Sequence, residues 1–420
     1  MPLPFPDTTT IDEGELAIGG MRASVLAERF GTPLVVLDEE TLLARARAYR
    51  EAAPDALVAY SVKALPNLAV LRLLAEQGLG ADVSTAGELE YALRAGIDPA
   101  RIVFHGNNKA DDEIERAGAT DVGYLVIDSF DDVERAALAS ARRVLVRVTP
   151  GIDADTHDAV RTGHLGSKFG LPPDDAAEAV RAAREAGLWV AGLHLHLGSH
   201  LLDSAAARMS VDWLAAFSAD LRARLDWVPE VVDLGGGLGI QYVDKDRPPD
   251  IREFVVALLE RLRRQWELHA LPAAGVILEP GRSLVGPAGV TLYRVGVVKR
   301  ASEATTYVAI DGGMSDNPRP QLYGARHTVV VAGRPEAEAD GFYTVAGKHC
   351  ESGDVLVDRV ALPAPRRGDL LAVAATGAYT LSMASNYNGV LRPAAVLVRE
   401  GEARLVRRRE TIDDLLGVEV

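Results

Sequence analysis

From about residue 56 onward, short runs of apolar and β-branched residues alternate with longer stretches in which apolar positions recur at helical spacing. Eight such runs follow one another: Leu57–Ser61, Ala81–Val83, Ile102–Phe104, Tyr124–Ile127, Val144–Val148, Val190–His196, Val231–Leu234 and Val276–Glu279. The segments between them, among them Glu88–Ala95, Asp174–Ala186 and Ile251–Leu268, carry the helical pattern. Runs with little polar alternation predict strands covered on both faces. Eight strand–helix units in succession predict an α/β fold, a closed parallel (β/α)8 barrel of the TIM type over residues 38–284.

After Arg282 the texture changes. Val290–Val298, Thr306–Ile310, Val329–Val331, Asp354–Val360, Leu370–Ala374 and Ala395–Val398 read as strands without helices between them, which predicts a second, all-β domain. Leu34–Leu37 reads as a strand that precedes the barrel and joins that later sheet. The β domain, sandwich-like or barrel-like, is then discontinuous, comprising residues 1–37 and 285–420. Arg404 and Arg407–Arg409 form a short basic run that reads as a solvated strand face rather than a binding patch.

Composition narrows the function classes. In 420 residues, 45 Lys and Arg against 60 Asp and Glu leave a net charge of −15, which opposes binding to nucleic-acid backbones and anionic membrane surfaces. No apolar stretch reaches bilayer length and the opening segment MPLPFPDTTT has no basic and apolar leader, so the expected location is the cytoplasm. The single cysteine, Cys350, cannot form an intrachain disulfide and is either a small buried hydrophobe or a working thiol.

The polar residues that interrupt the barrel pattern fall near strand C-termini: Lys63, Asp82, Ser84, His105, Asn107, Arg147, His196, the triplet Gly235-Gly236-Gly237, Glu279 and Arg282. Barrels of this type place their active sites on that face. Three bare glycines let backbone N–H groups approach an anion, and Arg282 adds a permanent cation. Glu279 beside them is too costly near a phosphate unless it meets another part of the ligand. An anionic end on a cationic ring fits, as in pyridoxal 5′-phosphate, and Lys63, following a strand expected to be buried on both faces, is expected to be desolvated toward its neutral, nucleophilic form. The plainer readings are a tight turn for the glycines and a surface lysine.

His194 and His196, two apart on an expected strand, point to one side, so a metal pair and a ring stacked on a cofactor are both considered. No third ligand is apparent, and no metal is invoked. Ser199, with the backbone of Gly198 and His200, is available to a phosphate. In the loop from Gly347 to Asp354, a thiol at Cys350 near cationic neighbours can donate or accept a proton, and Glu351 can hold an ammonium group; a buried structural cysteine remains the alternative. Arg319 is placed to pair bidentately with a substrate carboxylate, and Tyr379 is either a core aromatic or part of the site.

Tyr60 through Ala64, His105 through Lys109, His194 through Ser199, Asp233 through Gly239, Glu279 through Arg282, Asp311 through Met314, Cys350 through Asp354 and Gly377 through Tyr379 together resemble the diaminopimelate decarboxylases, a family of barrel-type pyridoxal-phosphate enzymes. The resemblance runs in order over essentially the whole chain. It implies that Lys63 carries the cofactor, His196 stacks on its ring and Glu279 pairs with the pyridine nitrogen. Ser199, Gly235, Gly236, Gly237, Gly281 and Arg282 then hold the phosphate, with Tyr379 closing over it. Arg282, Arg319, Tyr323 and Tyr379 contact the amino-acid substrate, and Glu351 takes its distal ammonium. The resemblance further implies that Cys350 is a proton donor contributed by the second subunit of a homodimer with shared active sites. Leu65 after Ala64 and Thr380 after Tyr379 depart from the commoner pattern and bear on fine specificity. The activity implied is decarboxylation of meso-2,6-diaminopimelate to L-lysine, the last step of lysine biosynthesis. The rivals are decarboxylation of ornithine, arginine or carboxynorspermidine, a racemase of related architecture, and a non-catalytic pyridoxal-phosphate-binding homologue.

Overall fold

A computed structural model describes residues 4–139, 141–152 and 166–420. The chain divides into two compact units, Arg45–Gly239 with Pro248–Ser283, and Met1–Ala44 with Ile240–Arg247 and Leu284–Val420.

The first unit is a closed barrel of eight parallel strands: β1 (Leu57–Ser61), β2 (Gly80–Val83), β3 (Ile102–Phe104), β4 (Tyr124–Ile127), β5 (Arg143–Arg147), β6 (Trp189–His194), β7 (Val231–Asp233) and β8 (Gly275–Leu278). Closure comes from β8 on β1, where Ile277 pairs with Leu57 and Leu278 with Val58. The interior is packed by small and branched residues, Ala59, Val103, Val126, Leu145, Ala191 and Ile277, each nearly inaccessible to solvent. That is why the strands read as continuous apolar runs rather than alternating ones. Helix starts are set by local polar caps. Asn67 accepts from the N–H groups of Ala69 and Val70 at the head of Leu68–Glu76, Thr85 caps Ala86–Arg94, and Asp250 caps Ile251–Leu268.

Two positions at strand ends bear on the site, the first of them a difference from the sequence reading. Strand β6 stops at His194, so His196 lies beyond it rather than two places along the same strand. Lys63 lies beyond β1, on the single 3₁₀ turn Val62–Ala64.

The second unit is mostly sheet. The long strand Gly289–Arg300 pairs antiparallel with Leu34–Asp38, with Thr306–Ile310 and with Leu370–Ala374, while Leu34–Asp38 also pairs in parallel with Ala394–Arg399. The early strand is wholly buried, which explains its apolar run Leu34–Leu37, and it ends on the buried Asp38. Strands unmarked by the apolar pattern are Thr10–Asp12, Glu15–Ile18, Met21–Arg22, Gly341–Ala346 and Glu402–Arg407, and this unit also carries the helix Ala23–Phe30. They carry mixed polar and apolar residues; Glu402–Arg407 is mainly exposed, in keeping with the basic run read there as a solvated strand face.

Candidate active site

Parallel pairing sets Arg147, His194 and Asp233 side by side on β5, β6 and β7, and sets Ser61 beside Asp82 on β1 and β2. The register therefore gathers charged side chains into one layer at the strand C-termini. Ser61 Oγ donates to Asp82 Oδ2 at 2.5 Å, and Lys63 Nζ donates to the same oxygen at 3.2 Å. The Lys63 side chain is 51% exposed, against 3% for Asp82, so the expected desolvation of the lysine does not occur. The turn after β1 lifts it out of the barrel layer, and an anionic partner, not burial, defines its surroundings.

Glu279, just past β8, is buried and is gripped by His105 Nε2, 2.5 Å from Oε1, while His194 Nε2 stands 3.4 Å from Oε2. His105 also lies 3.7 Å from Asp82 Oδ1, so contacts run from Lys63 through Asp82 and His105 to Glu279. Burial pushes the Glu279 carboxyl up, but the two histidines outweigh it and hold the group well below the usual carboxylate range. Burial, with the Glu279 charge beside it, pushes Asp233 well above that range. Burial likewise lowers His194 to about 4. His194 thus meets polar partners far from it in sequence, Glu279, His105 and Asp233, their ligand-type atoms all within 4.8 Å of one another. Two ligands at ~2.0–2.1 Å from a tetrahedral zinc lie about 3.3 Å apart. The 2.5 Å contact between His105 and Glu279 is instead a charge-assisted hydrogen bond.

The glycine loop after β7 is fixed by close approaches. The Glu279 N–H donates to Gly235 O at 2.7 Å, Leu201 N–H donates to Gly237 O at 2.8 Å, and Gly236 N–H donates to His196 Nδ1 at 3.2 Å. Gly235 has φ +65°, and a Cβ there would meet His196 Nδ1 at 2.7 Å. Burial, reinforced by the nearby Lys63 charge, keeps His196 neutral. Ser199 is drawn to the same place: Arg282, itself buried, donates from Nε at 3.1 Å and from Nη2 at 2.9 Å to Ser199 Oγ. Gly281 packs so closely that a Cβ would lie 3.0 Å from Ser61 Cβ. A hydroxyl held by a guanidinium beside a side-chain-free loop is a cradle suited to a phosphate.

The remaining candidates belong to the sheet unit. Arg319 is buried, with its guanidinium 4.6 Å over the Tyr242 ring and donating to the Tyr242 hydroxyl. Tyr323 closes the short helix Arg319–Tyr323 and is half-buried. Cys350 is exposed, which removes the buried-hydrophobe reading, and Glu351 is exposed beside it. Their loop is anchored through its backbone: Cys350 N–H donates to Asn388 Oδ1 at 3.0 Å and His349 N–H to Asp354 Oδ2 at 3.0 Å. Asp354 Oδ1 accepts from Met314 N–H at 2.7 Å, tying this loop to Asp311–Met314. Tyr379 is half-buried with φ +57°, a conformation that costs a bulky side chain energy and recurs at ligand sites.

Sequence reasoning assigned no task to Asp82, His105, Asp233 or Asp354. The signal for Asp233 was available, since an acid inside a strand buried on both faces needs a reason. The partners of His105 were not legible, because 174 residues separate it from Glu279.

The pyridoxal-binding domain of pyridoxal-dependent decarboxylases matches residues 39–286. The chain is 46% identical over 422 residues to the diaminopimelate decarboxylase of Actinosynnema pretiosum subsp. auranticum, covering 99% of this chain and 95% of that protein. The chain belongs to the diaminopimelate decarboxylase family. It is 40% identical to the Bacillus subtilis diaminopimelate decarboxylase over 97% of this chain and 95% of that one. The crystal structure of the M. jannaschii diaminopimelate decarboxylase in complex with L-lysine superposes with a TM-score of 0.91 at 34% identity, covering 99% of this chain and 98% of that one.

Proposed function

We propose that this family member decarboxylates meso-2,6-diaminopimelate at its D-centre, giving L-lysine and carbon dioxide, with pyridoxal 5′-phosphate as cofactor. The observation that carries the reading is the set gathered at the barrel end. The Ser199–Arg282 pair beside the glycine loop suits a phosphate, and an ionised Glu279 suits a protonated ring nitrogen. Neutral His196 suits a ring face, and Lys63 suits the carbonyl carbon. The residues fit the cofactor.

When bound, the cofactor supplies the electron sink for the electrons freed as carbon dioxide leaves. The chain supplies the rest. Lys63 holds the cofactor through its amine; Ser199, Arg282 and the backbone of Gly235, Gly236, Gly237 and Gly281 hold the phosphate. Glu279 keeps a proton on the ring nitrogen, His196 fixes the ring plane, and Tyr379 covers it. Arg319, with Tyr323 and Arg282, receives the distal carboxylate of the substrate, and Glu351 receives the distal ammonium. Cys350 delivers a proton to the carbon that loses carbon dioxide. In this reading two copies associate as a homodimer, each lending Cys350 and Glu351 to the other's site, and the enzyme works in the cytoplasm. Among the described residues no helix is long and apolar enough to cross a membrane.

The test supplies purified protein loaded with pyridoxal phosphate separately with meso-diaminopimelate, ornithine, arginine and lysine, following carbon dioxide and amine products. Turnover of meso-diaminopimelate alone is expected. Turnover of ornithine, arginine or lysine instead would overturn the assignments of Arg319 and Glu351.

A further inference from the structure

The motif from His105 to Lys109 has no place in the function described so far, yet its first residue makes the tightest contact to Glu279. His105 follows β3 directly, and its N–H donates to Val83 O at 2.7 Å, extending the β2–β3 pairing by one residue. The loop then turns at Gly106, whose φ of +134° puts its carbonyl within reach of Lys109. Lys109 is among the most buried side chains in the protein. Its Nζ donates to Gly106 O and to Asp132 Oδ2, both at 2.7 Å. Asp132 also accepts from Arg135 Nη2 at 3.0 Å and from the Asp128 N–H at 2.9 Å. A fully desolvated lysine with two short hydrogen bonds is an expensive anchor, and what it anchors is the one loop that carries His105.

We propose that His105 is a positioning residue for the cofactor: held by the Lys109–Asp132 anchor, it fixes the orientation and the charge of the Glu279 carboxylate. The inference rests on the reading in which Glu279 meets the cofactor's ring nitrogen. Its geometric basis is selective. Of the two carboxylate oxygens, Oε1 is taken by His105 at 2.5 Å, while Oε2 lies 3.4 Å from His194. The His105 and His194 rings meet edge-on, centroids 4.7 Å apart, so each limits the swing of the other. Other charged and titratable groups facing this point are Asp82 from β2, Arg147 from β5, Asp233 from β7 and, through Asp82, Lys63. Burial pushes His194 and Asp233 toward their neutral forms, and Arg147 is directed to Asp128 at 3.5 Å. Protonated Asp233 is also in hydrogen-bonding reach of Glu279, and His105, at 2.5 Å, is the short histidine partner of the Glu279 charge.

The experiment compares His105→Phe, which keeps a ring but not the hydrogen bond, with His105→Gln, whose amide nitrogen reaches close to the same position. The readouts are pyridoxal phosphate affinity of the apoprotein, the absorbance of the bound cofactor across pH, and the pH profile of kcat/KM. Loss of a charge-assisted hydrogen bond is expected to weaken cofactor binding by about 10- to 100-fold in His105→Phe and to move the acid limb of the profile to higher pH. His105→Gln is expected to restore most of both. Should the phenylalanine variant not fold, His105→Asn, whose shorter amide leaves the carboxylate unreached, makes the same comparison. A folded Phe or Asn variant with wild-type affinity and pH profile overturns the proposal, as does a Gln variant no better than Phe. A wild-type protein that neither binds the cofactor nor decarboxylates would instead overturn the functional reading beneath it.

Discussion

Gly236→Ala isolates what the glycine triplet does. Gly235 and Gly237 have positive φ, so substitutions there mix backbone strain with steric effects. Gly236 does not, and an alanine can adopt its backbone conformation. The difficulty is purely one of space, because a Cβ at Gly236 would sit 2.3 Å from the carbonyl oxygen of Glu279 and 3.1 Å from its carbonyl carbon. Carbon and oxygen tolerate about 3.3 Å, so the loop and the end of β8 must part by roughly 1 Å. Both neighbours are backbone and cannot swing aside. Parting them stretches the 2.7 Å hydrogen bond from Glu279 N–H to Gly235 O beyond useful range. Losing that bond costs ~1 kcal/mol, and the residual overpacking costs a further ~1–3 kcal/mol. The displaced backbone is the one that carries Glu279, and a misplacement of about 1 Å can cost on the order of 10²-fold in rate. Titration of apoprotein with pyridoxal phosphate, followed by absorbance, should show affinity lowered by tenfold or more, with kcat/KM lowered further. Gly275→Ala, where the nearest atom is a side-chain carbon at an ordinary 3.5 Å, is the control and should behave as wild type. A Gly236→Ala protein that binds and turns over normally would refute the argument that the loop owes its shape to contact with Glu279.

Other expectations follow from particular contacts. Cys350→Ala should retain the cofactor and the melting temperature, because the loop is tethered through the Cys350 N–H, yet lose roughly 10²-fold in kcat if the thiol is the general acid; steady-state kinetics decides. Burial raises Asp316 from 3.8 to about 7, so the folded state holds the extra proton and its contribution to stability, complete below pH 3.8, is lost as pH rises toward and through 7. Asp316→Asn, able to keep the hydrogen bond from Gly313 N–H, should show a flatter stability–pH curve between those limits, differing from wild type by at most ~1.4 kcal/mol per pH unit in urea unfolding. Lys109→Met should cost on the order of 3 kcal/mol by removing the buried cation from Asp132, which keeps Arg135 and the Asp128 N–H, and adding Asp132→Asn should recover part of that in the same assay.

How far the sequence could be read depended on whether a residue's surroundings are local. Ile251–Leu268 is a helix over the span its spacing predicts, because an apolar stripe and an Asp250 cap are both near in sequence. Leu34–Leu37 was legible as a displaced strand because consecutive buried positions leave no polar alternation, and the strand runs one residue further, to the buried Asp38. The charged layer was harder. The sequence marks Lys63 as following a buried strand, yet one turn of 3₁₀ helix between strand and side chain exchanges a desolvated setting for a half-exposed one beside Asp82. Two residues of strand length do the same for His196: ending β6 at His194 separates the two histidines, one to Glu279 and the other to the glycine loop. Such endpoints depend on the parallel register around the whole barrel, which no local window contains.

The barrel end also shows how one environment produces opposite protonation states. Asp233 and Glu279 are both buried carboxyls within a few ångströms, and burial alone pushes each toward its neutral acid. Two adjacent anions in so little solvent are unfavourable, so the pair must differ, and the difference is decided by what each carboxylate touches. Asp233 accepts one backbone N–H, from Gly235 at 2.9 Å, while Glu279 has His105 at 2.5 Å on one oxygen and His194 near the other. The charge therefore settles on Glu279, the group that follows β8 beside the glycine loop, and the neutral Asp233 beneath it adds no second anion. For a ligand with a protonated ring this means one carboxylate already ionised and already aimed before binding, so that little reorganisation remains to be done when the ligand arrives. The histidine that fixes that choice comes from a loop whose own anchor, Lys109 on Asp132, lies among the most buried charges in the molecule.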